Sequence, residues 1–163
     1  MPVAPNDALR VIAGANAVLS GHALSSALPV IIVNQFRVSD RILNFFRKGA
    51  AIAGTRGAAM DGRIAPHPHA RVFAKASSSA FSNAELEPFL RANAVTSICA
   101  MGVFAEGCVR ATALDAKSRG FGVVVAENAI ATNSSLKMAF ALWALRRGGV
   151  TIVPTLSHVE NAT

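Results

Sequence analysis

The sequence predicts a three-layer α/β/α sandwich built on a mostly parallel, Rossmann-like sheet. Three observations predict it. Strand-like and helix-like segments alternate along most of the 163 residues, and such alternation implies a parallel sheet with helices on both faces. The strand segments include continuous apolar runs, Val30-Ile31-Ile32-Val33 and Val123-Val124-Val125, as strands covered on both faces require. Two helical segments stop at Gly120 and at Gly148-Gly149, where a glycine commonly ends a helix. No repeat, low-complexity tract or linker interrupts the pattern, so residues 1–163 read as one domain with right-handed crossovers.

Taken in order, residues 7–27 form a first helix with Val11, Ile12, Ala15, Val18, Leu19 and Leu24 on one face. Asn6 or Asp7 caps its start. Leu28-Pro29 ends it, and a strand follows at 30–33. Residues 36–70, with four glycines and two prolines, read as a long excursion holding one short helix at 40–47. Arg71–Lys75 is a short strand, and Asn83–Arg91 is a helix capped by Ser82 or Asn83. A strand at 95–101, a helix at 106–119, a strand at 122–126, a helix capped by Asn133 or Ser134 and running to Arg147, and a last strand at 150–153 complete the chain.

Composition narrows the function classes. Apolar residues make up 52% and charged residues 15%. No apolar run approaches the roughly 18–20 residues a membrane helix needs. The apolar excess is therefore assigned to buried sheet and to a subunit interface, which predicts a homo-oligomer, a dimer or tetramer, with no membrane contact. The C-terminal helix carries Met138, Phe140, Ala141, Leu142 and Leu145, and Trp143 beside them reads as core or interface. The net charge is +7, yet the basic residues do not cluster and there is no Tyr and one Trp, which argues against a nucleic-acid partner. The start, MPVAPNDALR, has no secretory pattern. Cys99 and Cys108 make no disulfide framework. The expected compartment is a reducing cytoplasm.

In an open α/β sheet, ligands bind beyond the carboxyl ends of the strands. One strand end stands out. After Ser97-Ile98-Cys99-Ala100-Met101 the chain turns through Gly102 and Gly107, and a helix begins near Cys108. A sulfur at a helix N-terminus gains from the dipole and free N–H groups, which favour thiolate and can hold an oxyanion. Packing as a small core residue is the other reading of Cys108. Cys99, mid-strand in an apolar run, reads as core. Lys75 alone reads as a solvated lysine at a strand end. His67-Pro68-His69 reads as a surface loop rather than a metal site, the three-glycine dinucleotide pattern is incomplete at 102–107, and no cofactor is expected. Phe81 and Phe104 flank the site as pocket walls or as core.

The stretch Met101-Gly102-Val103-Phe104-Ala105-Glu106-Gly107-Cys108-Val109-Arg110-Ala111-Thr112-Ala113-Leu114-Asp115-Ala116 resembles the nucleophile motif of the isochorismatase-like cysteine hydrolases. Further matches keep that family's order: Pro29-Val30-Ile31 with its second strand, Gly54-Thr55-Arg56-Gly57-Ala58 with its glycine turn, Val72-Phe73-Ala74-Lys75 and Ser79-Ala80-Phe81 with its lysine strand, and 120–132 with its fifth strand. The resemblance implies hydrolysis of a C–N amide bond in a small molecule, or of a vinyl ether. It implies Cys108 as nucleophile, Lys75 as the group that steadies the sulfur's charge, the backbone N–H groups of Phe104 and Cys108 as oxyanion hole, and a cis peptide at Val103–Phe104. Residues 34–48 lack the metal motif of the nicotinamidase branch, so the metal expectation is none.

One expected part is missing. The family places a general-base aspartate at the end of its first, central strand, and Asn16 to Pro29 fits the helix after that strand, with Asp7 in the connecting loop. On this register the first strand is absent. Either an N-terminal segment of the natural protein is missing, or the chain is a shortened member with impaired catalysis that binds a small ligand or serves as an oligomeric scaffold. A carboxylate within hydrogen-bond reach of Cys108 discriminates an active hydrolase from the impaired member. No motif in 34–70 identifies the substrate.

Overall fold

A computed structural model describes residues 3–22, 24, 26–35, 60–65 and 67–160. The short helix expected at 40–47 and the glycine turn at 54–58 lie outside the described residues. Helix α1 spans Pro5–Leu19. It starts on Pro5, whose fixed φ and missing N–H suit a first turn. Asp7 does not cap it but pairs with Arg10 at 3.0 Å. The expected extension to residue 27 fails because Gly21 takes φ +73°, a left-handed turn. Arg10 fixes α1 to the rest of the molecule by donating to the carbonyls of Glu127, Asn128 and Ile130.

Strands β1 (Val30–Asn34) and β2 (Arg71–Lys75) pair in parallel, Val30 opposite Arg71 through Asn34 opposite Lys75. Helix α2 spans Leu86–Ala92, three residues later than expected. The Asn83 side chain occupies the turn before it, accepting from Glu85 N–H and donating to the Ala74 carbonyl. The predicted strand at 95–101 is two pieces, β3 (Ser97–Cys99) and β4 (Gly102–Val103). Gly102 adopts φ +122° at the break, a conformation a side chain opposes. The Val103–Phe104 peptide is cis. A wide five-residue π-type turn, Ala105–Val109, leads into helix α3 (Arg110–Ser118). Strand β5 (Gly122–Ala126), the unexpected two-residue strand β6 (Ile130–Ala131), helix α4 (Ser135–Arg147) and strand β7 (Thr151–Val153) follow.

Among the described residues every strand pairing is parallel: β1 with β2, β3 with β5 and β5 with β7, and β4 with β6. Among the described residues the β1–β2 pair is not hydrogen-bonded to the β3–β5–β7 sheet. Period-2 alternation in β5 sorts the two cores. Val123 and Val125 join Phe73, Leu86, Leu90, Ala113, Ala116, Ala141 and Leu145, the face covered by α2, α3 and α4. Val124 and Ala126 join Val153, Leu156 and Val159, with Val18 of α1 against them. These are the three layers the sequence predicts. Val30 and Ile32 of β1 and Ile98 of β3 border the same core, so both sheets serve one interior. The β1 residues stay half-buried while β5 is buried from Val123 to Ala126.

Candidate functional site

The carboxyl ends of β1, β2 and β4 gather the polar groups. In parallel strands, residues in register project to the same face. Asn34 and Lys75, the last residues of β1 and β2, are such a pair, and Ile32 and Phe73 two residues earlier lie against the α2–α4 core. Cys108 sits on that face in the turn between β4 and α3. A helix starts near Cys108 as expected: α3 begins at Arg110, and Cys108 lies in the wide turn that leads into it, where Val109 N–H donates to the Phe104 carbonyl at 3.3 Å. Such π-type turns occur frequently at functional sites.

Lys75 is 4% exposed. A buried ammonium is costly unless its donors are met, and it has three. Lys75 Nζ donates to the carbonyls of Ser77 at 2.7 Å and Ser78 at 2.8 Å, and to Cys108 Sγ at 3.2 Å. The solvated lysine of the unaided sequence reading is therefore a buried one. Residues 77–80, which supply the carbonyls, are tied to the helix that follows Cys108. Ser79 Oγ donates to Asp115 Oδ2 at 2.6 Å, and Ala80 N–H donates to Thr112 Oγ1 at 3.0 Å. Lysine, loop and cysteine are thus held by one hydrogen-bonded frame.

Cys108 Sγ has a second polar neighbour, Asn34 Oδ1 at 4.0 Å. Among the described residues no carboxylate is hydrogen-bonded to Cys108 or to Lys75. Glu106, two residues before Cys108, instead faces Lys137 at 3.4 Å. Cys99 is a different thiol: burial pushes it up to about 11.

The two phenylalanines part company. Phe104 is 37% exposed at the cis peptide beside the turn. Phe81 is buried, packs near Phe121 with centroids 5.9 Å apart and lies under the Arg119 guanidinium. It also borders a cleft lined by Asn83, Glu87, Arg91 and Arg119. The His67 and His69 rings meet edge to face at 5.8 Å. Among the described residues no three His, Cys, Asp or Glu side chains gather as a metal site, and no helix is long and apolar enough to cross a membrane. Asn34 and the Ser79–Asp115 tie were missed as site features. Asn34 closes an otherwise apolar strand, a signal that gains meaning only from its register with Lys75.

Fold and site define the class: a parallel three-layer α/β domain with a cysteine and a buried lysine in contact at its strand ends. Within that class the chain belongs to the isochorismatase domain family, whose model matches residues 3–156. It is 38% identical over 73 residues to an N-carbamoylsarcosine amidase of an Arthrobacter species, covering 45% of this chain and 28% of that protein. It is 32% identical over 84 residues to the maleamate amidohydrolase of Pseudomonas putida, covering 52% of this chain and 39% of the relative. The matched segments therefore span less than half the length of either relative. The fold is similar to the crystal structure of an isochorismatase family protein from Desulfovibrio vulgaris, with TM-score 0.82 at 24% identity, covering 99% of this chain and 90% of that one.

Proposed function

We propose that the protein is a cysteine-dependent hydrolase of a small amide. The observation that carries this is the 3.2 Å contact between the buried Lys75 ammonium and Cys108 Sγ. An ammonium aimed at sulfur stabilises the negative charge a nucleophilic sulfur carries. In the reaction Sγ attacks the carbonyl carbon and the C=O π pair moves onto oxygen, where the backbone N–H groups of Phe104 and Cys108 receive it. On collapse the C–N bond breaks, and nitrogen departs with the proton lost by the thiol. Water then cleaves the thioester, giving a carboxylic acid and the free thiol. Phe104, half exposed beside the turn, is the pocket wall. Two relatives named as amidase and amidohydrolase support the amide bond as target. The test is hydrolysis of maleamate and N-carbamoylsarcosine, with ammonia release lost in Cys108→Ala; equal release by the variant overturns the reading.

One observation favours a second reading: no carboxylate among the described residues reaches Cys108. Without a general base, rates fall by about two to four orders of magnitude, and the chain acts as an impaired family member that binds a small ligand or scaffolds an oligomer. Full turnover by the chain alone overturns this. That β1 and β3 border the same core supports reading residues 1–163 as a single domain. The exposed Leu136, Phe140 and Trp143 on α4 support self-association in a cytoplasmic protein.

A further inference from the structure

Among the described residues, Asn34 is the one polar side chain near Cys108 with no part in the frame that holds Lys75. Its carboxamide oxygen lies 4.0 Å from Sγ, and its strand position sets it beside Lys75 on the face where Cys108 lies. Among the described residues the carboxamide makes no other hydrogen bond. It is not sealed away, since Asn34 is half-buried and none of its side-chain atoms is buried without a partner. A neutral carboxamide cannot take a proton at working pH, so it is no substitute for a general base. It offers one acceptor and two donors within reach of whatever is bonded to the carbon that Cys108 attacks. Lys75 cannot serve there, because its three donors are already met by two carbonyls and the sulfur.

We propose that Asn34 is a specificity-determining residue whose Oδ1 accepts an N–H on the nitrogen of the scissile amide, so that the site prefers primary amides and carbamoyl groups over N,N-disubstituted amides. This rests on the hydrolase reading of Cys108. A site that hydrogen-bonds a substrate N–H discriminates against analogues lacking it. One neutral hydrogen bond at a half-exposed position corresponds to about a fivefold preference.

The test needs no turnover. Cys108 is alkylated with iodoacetamide and with N,N-dimethyl iodoacetamide; Sγ–C forms as C–I breaks, iodide leaves with the bonding pair, and the thiol proton goes to buffer. The ratio of the two rate constants is normalised to that of free cysteine. The expected ratio is about five in the wild type, near one in Asn34→Leu and Asn34→Ala, and close to the wild-type value in Asn34→Asp, which keeps an acceptor. A merely structural role would slow both reagents together. A wild-type ratio near one, or a ratio unchanged in both Asn34→Leu and Asn34→Ala, overturns the inference. The hydrolase reading fails separately: the ratio then behaves as stated while maleamate and N-carbamoylsarcosine remain uncleaved. A Cys108 that neither reagent alkylates overturns both.

Discussion

Replacing Lys75 by methionine removes the charge while keeping a side chain of similar length. The magnitude follows from the geometry. A unit charge 3.2 Å from sulfur interacts with a negative sulfur by about 5 kcal/mol at an effective dielectric constant near 20. That figure is a ceiling, because the ammonium also serves the Ser77 and Ser78 carbonyls. Taking half, about 2.5 kcal/mol, and one decade of rate per 1.36 kcal/mol, Lys75→Met should slow Cys108 alkylation by about fifty- to a hundredfold. The fold should persist, since desolvation of a 4% exposed ammonium is relieved as two carbonyls lose their donor. The assay is the second-order rate of iodoacetamide addition at pH 7, read residue by residue by mass spectrometry, with Cys99 as internal control. A Lys75→Met rate within twofold of wild type, in a protein with unchanged circular dichroism, refutes the reasoning: the ammonium would then be held by its carbonyls and contribute nothing to the sulfur.

Three further predictions can be tested together. Burial raises the Cys99 thiol to about 11, against about 8.5 in an unfolded chain. Its contribution to stability is therefore full below about pH 8.5 and is lost as pH rises towards 11, so the wild-type melting temperature should fall more steeply over that range than that of Cys99→Ala. Asp115 acts on the site through Ser79; Asp115→Ala should free the loop that grips Lys75 and slow Cys108 alkylation several-fold while circular dichroism stays native, and an unchanged rate would show that the loop holds itself. Phe140 and Trp143 are 49% and 56% exposed on α4, so light scattering at micromolar concentration should give a dimer or larger, and Trp143→Glu should lower that mass; a monomeric wild type refutes self-association.

How much the sequence discloses depends on whether a feature is set locally. Strands β1 and β5 are legible because a short, continuous β-branched run suits a strand of a parallel sheet, and the stop of α3 is legible because Gly120 takes φ +85°. Features made by distant pairing are not. Strand β6 is two residues, Ile130 and Ala131, that become a strand only by lying beside Gly102 and Val103. The break between β3 and β4 depends on the conformation of Gly102, which an apolar run conceals. The site follows the same rule. Lys75 and Cys108 lie 33 residues apart, and Asn34 lies 74 residues from Cys108; no local spacing relates them. A family pattern brings the first two together without the structure. The third is placed by strand register alone, because shifting β1 by one residue against β2 would turn Asn34 to the opposite face. What fixes that register is the set of half-buried side chains from Val30 to Val33, so the residue beside the sulfur is chosen by the packing of an apolar strand.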